Sequence, residues 1–212
     1  MRVHPLENKV RSQGFKHIAG FDEAGRGPMA GPVVAACIIL PEGFRSEMLD
    51  DSKKISRKNR NILFESLTKS NLPYGIGISS VEEIDRMNIF QASMFAMKKA
   101  FDQMIKQFGV TPDMGFIDGH LKSPYLTIPQ MPVVRGDSKI MSIAAASILA
   151  KVTRDEMMLK LADQYPKYGF EKHMGYGTAF HESMVKKHGR CPEHRKTFQF
   201  AFEKEQLPLK LA

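Results

Sequence analysis

The sequence lacks the features of a membrane-spanning or disulfide-rich protein. No apolar run in its 212 residues reaches the ~18 residues that a spanning helix needs, and the N-terminal segment has no apolar signal-peptide core. Only two cysteines are present, Cys37 and Cys191, which excludes a disulfide framework. We therefore expect a cytoplasmic protein without a transmembrane segment or a membrane partner.

Positive charge, in contrast, is in excess. Lysine and arginine number 31 against 23 acidic residues, which gives a net charge of +8 and a pI of about 9.5. This balance favours a polyanionic partner such as nucleic acid or an anionic surface, although it says nothing about the fold. The hydrophobic fraction of 42% is ordinary for a globular domain. The length allows one substantial core, or two small ones at most.

Predicted strands alternate with predicted helices, which indicates an α/β fold. Apolar runs predict strands at residues 18–21, 33–40, 74–78 and 114–117. Helices are predicted over residues 56–69, 88–108, 140–162 and 178–188, with a short one after Ser80. We divide the chain into a loose leader (1–16), an α/β domain (17–165), a C-terminal helical region (166–205) and a tail (206–212).

Four carboxylates stand next to glycine at the ends of strand-like runs: Asp22, Glu23, Asp118 and Asp137. Because the ends of neighbouring strands lie close together, we expect these groups to converge and to raise one another's pKa values. Divalent cations relieve such repulsion, and Mg²⁺ favours a few carboxylates together with water and substrate phosphate. An acidic site on a basic protein is typical of a metal-dependent nuclease. The simpler alternative is a set of solvated strand ends beside tight turns.

Five segments carry a family resemblance: DEAGRGPMAGPV, DDSKKIS, FIDGH, RGDSKIMSIAAASILAKVTRD and YGFEKHMGYGT. Their order and spacing, from about residue 17 to residue 195, resemble those of ribonuclease HII. The resemblance implies a ribonuclease H-like mixed sheet flanked by helices, with a helical C-terminal region. It also implies a Mg²⁺- or Mn²⁺-dependent endonuclease that cleaves RNA–DNA hybrids and cuts 5′ to single ribonucleotides in duplex DNA. The products would carry a 3′-hydroxyl and a 5′-phosphate, and the role would be ribonucleotide removal from DNA.

The same resemblance implies roles for individual residues. The ligands of two metal ions, and thus the catalytic groups, would be Asp22, Glu23, Asp118 and Asp137. The 2′-hydroxyl of the ribonucleotide would be read by Gly25, Arg26 and Gly27, largely through backbone groups, and contacted by Tyr176. Flanking phosphates would be contacted by Lys53, Asn88, Ser147 and Lys151. The last two are four residues apart and so share one helix face.

Some alternatives stay open. A metal nuclease of related fold that ignores the 2′-hydroxyl, and a non-catalytic hybrid-binding protein, are both compatible with the charge pattern. Asp155 lies within a long helix, where an ion pair is more usual than a fifth metal ligand. His188, Cys191 and His194 lie close in sequence, but their spacing fits no common zinc site.

The C-terminal tail carries a separate hypothesis. Residues Gln206–Leu211 resemble the Q-L-x-L-x-L peptide with which bacterial replication proteins dock on the sliding clamp. A chain terminus suits such a docking peptide. We expect the protein itself to be a monomer.

Overall fold

Strands and helices alternate along residues 5–50 and 55–205, which the computed structural model describes. The strands are β1 (Ile18–Ala24), β2 (Val33–Ile39), β3 (Tyr74–Ser79), β4 (Met114–Asp118) and β5 (Gln130–Val133). The helices are α1 (Pro5–Ser12), α2 (Glu47–Asp50), α3 (Arg57–Lys69), α4 (Val81–Met87), α5 (Ile89–Phe108), α6 (Met141–Gln164), α7 (Phe170–His173), α8 (Ala179–His188) and α9 (Ala201–Glu205). Short 3₁₀ turns occupy Gly136–Ser138 and Pro166–Tyr168.

The five strands form one mixed sheet in the order β3-β2-β1-β4-β5. The first three strands pair antiparallel, whereas β1–β4 and β4–β5 pair parallel. Strand β1 is therefore central, and its C-terminal end lies beside that of β4. The predicted mixed sheet flanked by helices is confirmed.

Helices cover both faces of this sheet, because successive side chains of a strand point to opposite sides. On one face Phe21 and Cys37 pack with Met97 of α5. On the other face Ala36 and Ile38 belong to a cluster that α3 and α6 complete. Fully burying one such large side chain contributes about 1.5–3 kcal/mol, so these two layers hold the strand ends in place.

The small residues at the start of α6 allow that helix to lie directly on β1. A Cβ atom at Gly20 would stand only 2.2 Å from the carbonyl carbon of Ser142. Ala144 and Ala145 are fully buried in the contact. This close approach brings Ser147 of α6 over the end of β1, where the first carboxylates lie.

The helix starts follow the predicted capping residues. The Ser56 hydroxyl accepts a hydrogen bond from the Asn59 N–H at 3.2 Å and starts α3. Ser80 and Glu83 form a complete capping box at the start of α4. Helix α5 ends at Gly109, whose φ of 66° is left-handed. Of the described helices, none has the combination of length and apolar character that crossing a bilayer requires.

Two expectations need correction. The leader is not loose over Pro5–Ser12, which form α1, and Val10 of that helix is buried in a cluster with Ile18 and Phe116. The segment is too short and too polar for its periodicity to be visible in the sequence. Strand β5 was not predicted, because three prolines interrupt its neighbourhood. It tolerates Pro132 because it lies at the edge of the sheet, where a missing N–H costs little.

The C-terminal helical region packs on the loop between β1 and β2. Phe170 and Phe200 share a buried cluster with Met29 and Ala30 of that loop. The Arg195 N–H donates to the Met29 carbonyl oxygen at 2.9 Å. The region is thus positioned to complete a site at the β1 end, while the division of the chain at residue 165 stays a prediction.

Candidate active site

Two of the predicted metal ligands, Asp22 and Asp118, lie side by side near the ends of neighbouring parallel strands. Phe21 of β1 pairs with Ile117 of β4, so the following residues, Asp22 and Asp118, emerge at the same edge of the sheet. The Asp22 side chain is buried. Its carboxylate accepts the Glu23 N–H at 2.7 Å and a hydrogen bond from the Ser147 side chain. The strand register therefore brings these carboxylates together.

The fourth carboxylate, that of Asp137, belongs to a turn that is held in place by a hydrogen bond to Asp118. The Gly136 N–H donates to Asp118 Oδ1 at 2.6 Å. Asp137 is the next residue along, within the 3₁₀ turn Gly136–Ser138. The left-handed φ of 54° at Arg135 turns the chain into this position after β5. Asp137 is thereby held next to the residue that binds Asp118.

Burial and like charge act together on these acids. Burial raises the pKa of Asp22 well above its usual range, and the nearby Glu23 and Asp118 carboxylates raise it further. Burial also raises the pKa of Glu23, although the cationic Arg26, 3.1 Å away, partly offsets this. Binding of a cation beside Asp22 and Glu23 would favour their ionised forms and so stabilise the site.

The donor set fits Mg²⁺ or Mn²⁺, because every predicted ligand is a carboxylate oxygen donor. Within residues 5–50 and 55–205, no three His, Cys, Asp or Glu side chains are arranged to hold an ion by themselves. Mg²⁺ does not require such a cage, since it usually binds through one or two carboxylates together with water and substrate phosphates. The chemistry of the four donors is therefore compatible with Mg²⁺ or Mn²⁺.

A cleft of about 330 Å³ opens beside this group. It is lined by Glu23, Ala24, Gly25, Arg26, Gly27, Ser147, Lys151, Arg154 and Tyr176. Most of these residues were predicted site residues, although they come from three separate parts of the sequence. One cleft therefore joins Glu23, a member of the acidic group, to the glycine-rich turn and the tyrosine.

The turn and the tyrosine face each other across this cleft. Gly25 has a φ of +100°, a conformation that side chains disfavour. A Cβ atom at Gly27 would lie 3.6 Å from Tyr176 Cε1, so the ring approaches the backbone of the turn. Tyr176 itself is 47% exposed. The exposed Tyr176 ring and the exposed residues Arg26 and Gly27 therefore lie beside each other in the cleft.

Comparison with known proteins shows the family to which the chain belongs. The family model described as Ribonuclease HII matches residues 19–205. A ribonuclease HII from Endomicrobium trichonymphae is 51% identical over 196 residues, which cover 92% of this chain and 91% of that protein. The chain belongs to the ribonuclease HII family. It is therefore a ribonuclease H enzyme with endonuclease function.

Solved structures confirm the ribonuclease H-like fold. Ribonuclease H2 from Pyrococcus horikoshii OT3 matches with a TM-score of 0.70 and 26% identity, covering 89% of this chain and 96% of its own. RNase HII from Archaeoglobus fulgidus, solved in a complex with PCNA, matches with a TM-score of 0.68 and 24% identity. That alignment covers 87% of this chain and 96% of the archaeal chain, and it supports the fold alone.

The residues predicted to contact phosphate have different positions in this ribonuclease HII. Ser147 and Lys151 line the cleft from one face of α6. Lys151 also forms an ion pair with Asp155 at 2.7 Å, so Asp155 has the ion-pair role expected of it. Asn88 caps α5 by accepting the Gln91 N–H at 3.1 Å. Lys53 lies outside the described residues, and its phosphate contact, like that of Asn88, stays a prediction.

Two buried, hydrogen-bonded histidines, His181 and His194, support the tyrosine segment, by which we mean residues 174–178 around Tyr176. His194 Nδ1 accepts the Cys191 N–H at 2.9 Å, so its proton is on Nε2 and is donated to His181 Nε2 at 3.0 Å. His181 in turn donates from Nδ1 to the Tyr176 carbonyl oxygen at 2.9 Å. The chain of donors runs in one direction only while both rings are neutral.

The two buried, neutral histidines predict a loss of stability in mild acid. Burial lowers the pKa values of His181 and His194 to about 4, whereas unfolded histidine titrates near 6.5. Below pH 6.5 the unfolded chain takes up protons that the folded protein refuses, so the free energy of unfolding falls as the pH falls towards 4. We expect urea unfolding at pH 7.5, 6.5, 5.5 and 4.5 to show this decline.

Two histidine variants test the assignment. His188 is exposed at the end of α8, so His188→Gln should keep the full pH dependence. His181→Gln removes one titrating group and should flatten the slope between pH 6.5 and 4, at lower overall stability. A slope that is equally steep in His181→Gln would contradict the assignment.

Sequence reasoning missed two residues at this site, Arg154 and Arg195. Arg154 lines the cleft and is almost fully buried. Its spacing was an available signal, since Ser147, Lys151 and Arg154 follow one another by four and three residues and so share a helix face. Arg195 is fully buried in the C-terminal region, where residues 194–197 follow a His-Arg-x-Ser pattern with threonine in place of serine.

Proposed function

We propose that this ribonuclease HII cleaves the RNA strand of RNA–DNA hybrids and also cuts 5′ to single ribonucleotides in duplex DNA, leaving 3′-hydroxyl and 5′-phosphate ends. The observation that carries the proposal is the cleft, in which Glu23 of the acidic group lies beside the glycine-rich turn and the tyrosine. Such an enzyme would serve in removing ribonucleotides from DNA. Its action as a cytoplasmic monomer stays a prediction.

The ribose would be read by the ribose-sensing turn, Gly25–Gly27, together with Tyr176. A 2′-hydroxyl is both a donor and an acceptor, and it is the chemical mark that separates a ribonucleotide from its DNA neighbours. Backbone N–H groups can donate to it only where no side chain stands between, which suits glycine. The adjacent Tyr176 ring is exposed enough to contact the sugar or base at the junction.

The carboxylates of Asp22, Glu23, Asp118 and Asp137 would hold two Mg²⁺ or Mn²⁺ ions. When bound, such ions supply an activated water and stabilise the oxygen that leaves the phosphorus. The raised pKa values of Asp22 and Glu23 support this role, because cation binding relieves the repulsion that raises them. Ser147 orients the Asp22 carboxylate by its hydrogen bond, and Lys151 offers a cation to the neighbouring phosphate.

Three matched duplexes test the proposal: all-DNA, DNA with one central ribonucleotide, and an RNA–DNA hybrid of the same sequence. With Mg²⁺ or Mn²⁺ we expect cutting of the last two, no cutting of the first, and none of any duplex in EDTA. Equal cutting of all three would favour a nuclease that ignores the ribose. Binding without cutting under both metals would favour a hybrid-binding protein, against which the presence of all four acids already argues.

We also infer a clamp-docking role for Gln206–Leu211. These residues lie outside the described part of the chain, so the inference rests on the peptide pattern. The archaeal ribonuclease HII solved in a complex with PCNA is a case of the same fold on a clamp. Deletion of residues 206–212 should abolish binding to a purified bacterial sliding clamp without changing cleavage of a short duplex. Unchanged clamp affinity would contradict this role.

A further inference from the structure

Two arginine side chains are buried directly behind the ribose-sensing turn. Arg154 on α6 is 1% exposed, and Arg195 in the C-terminal region is 0% exposed. A buried guanidinium is costly unless hydrogen bonds compensate its charge. The hydrogen bonds that the structure gives these two groups all go to main-chain carbonyl oxygens. The two arginines therefore organise backbone.

Arg195 binds the inner side of the loop that contains the turn. Its Nη2 donates to the Gly25 carbonyl oxygen at 2.5 Å, and its Nη1 donates to the Arg26 carbonyl oxygen at 3.0 Å. Further carbonyl partners are those of Pro28, Gly31 and Pro32. A planar guanidinium with five donors is suited to such a ring of acceptors, whereas a lysine ammonium offers three donors from one point.

Arg154 connects the same loop to the tyrosine segment. Its Nε and Nη2 donate to the carbonyl oxygens of Pro32 and Ala30, at 3.0 and 3.2 Å. Its Nη1 donates to the Met174 carbonyl oxygen at 3.1 Å, two residues before Tyr176. Both walls of the cleft are consequently fastened to one buried pair of arginines.

These bonds fix the direction of the amide groups on the outer side. In a trans peptide the carbonyl C=O and the following N–H point in opposite directions, and the described residues contain no cis peptide. Because Arg195 draws the carbonyls of Gly25 and Arg26 inwards, the N–H groups of Arg26 and Gly27 point away from it. The outer side is the cleft that these residues line.

We propose that Arg195 is the positioning residue of the ribose-sensing turn, which it holds so that the N–H groups of Arg26 and Gly27 face the 2′-hydroxyl. The inference rests on the proposed function, in which this turn reads the ribose. It adds a specificity-determining residue that lies outside the cleft and does not touch the substrate. Arg154 secures the opposite wall.

A purely structural role for Arg195 has a matched control in Arg190. Arg190 binds the carbonyl oxygens of Arg195 and Phe198 at 2.6 and 2.7 Å and pairs with Glu203 at 2.6 Å. It thus fastens the same C-terminal segment but bonds to none of residues 25–32. If Arg195 only stabilised the segment, Arg195→Lys and Arg190→Lys would each lower stability, and both would leave the ribose preference unchanged.

The experiment compares ribose preference in these two variants. Dissociation constants are measured for an all-DNA duplex and for the same duplex with one ribonucleotide, in an Asp22→Asn background so that neither is cut. The ratio of the two constants is the ribose preference. We expect Arg195→Lys to reduce it by about tenfold towards one, because the turn's hydrogen bonds to the ribose are lost, while Arg190→Lys keeps the parental ratio.

Each outcome decides the question. A folded Arg195→Lys protein with the parental ratio overturns the proposal. Equal binding of both duplexes by the Asp22→Asn parent overturns the proposed ribose sensing itself, whatever Arg195 does. If circular dichroism shows that Arg195→Lys does not fold, amide hydrogen exchange in the Asp22→Asn parent takes its place. The N–H groups of Arg26 and Gly27 should then be protected more by the duplex with one ribonucleotide than by the all-DNA duplex. Equal protection in a parent that still prefers the ribonucleotide duplex overturns the proposal.

Discussion

Asp22→Asn should reduce cleavage of a duplex with one ribonucleotide by about 10³-fold or more, because an ion held at this site contributes several kcal/mol to the transition state. The amide loses the charge but keeps an oxygen that can accept the Glu23 N–H and the Ser147 hydroxyl. Single-turnover rates in Mg²⁺ measure the effect. Asp102→Asn is the control, since Asp102 is an exposed surface ion-pair residue of α5 and its loss should leave the rate unchanged.

The same substitution should not destabilise the fold. Burial and the neighbouring carboxylates raise the pKa of Asp22 above its unfolded value, so its ionised form opposes folding at pH 7. We therefore expect the melting temperature of Asp22→Asn in EDTA to equal or exceed that of the parent, and the stabilisation by added Mg²⁺ to shrink. A variant that unfolds would instead assign Asp22 a structural role.

Gly25→Ala should be the second most damaging change, with a loss of about 10²-fold in kcat/KM, the cost of misplacing substrate by about 1 Å. A Cβ atom at Gly25 would stand 2.1 Å from Arg154 Nε and 2.8 Å from the Pro32 carbonyl oxygen. The turn must therefore shift, and the arginine bonds behind it must break. Steady-state cleavage of the single-ribonucleotide duplex measures the loss.

Gly14→Ala separates this clash from backbone strain. Gly14 has a φ of +98°, close to the +100° of Gly25, but no atom lies within 4 Å of a Cβ built there. Both substitutions incur a similar conformational cost of about 1–3 kcal/mol, and only Gly25→Ala disturbs the cleft. We expect Gly14→Ala to lower the melting temperature and to keep kcat/KM. Equal kcat/KM in both variants would contradict the positional role of Gly25.

The local features of this fold could be predicted because each has a local cause. The capping box of Ser80 and Glu83, the left-handed end of α5 at Gly109 and the small-residue face of α6 all depend on neighbouring residues. The convergence of Asp22 and Asp118 was also predictable, since each follows a predicted strand and the ends of neighbouring strands lie close together.

The remaining features depend on contacts between distant segments. Helix α1 is held by Val10 packing on a strand more than a hundred residues away, which the local pattern does not encode. Arg195 bonds to carbonyls about 165 residues earlier in the chain, and carbonyl groups leave no trace in a sequence. The hydrogen bond between His181 and His194 likewise requires α8 and the loop that follows it to fold together.

The central claim is that one cleft both cuts the strand and reads the 2′-hydroxyl. Its most direct test is the rate and position of cutting in a duplex with one ribonucleotide, compared with the same duplex carrying a 2′-O-methyl nucleotide there. We predict one cut on the 5′ side of the ribonucleotide, with 3′-hydroxyl and 5′-phosphate ends, and no cut at the methylated sugar, because the methyl group removes the donor and blocks the turn's N–H groups. Cutting of both duplexes at equal rates would contradict the claim.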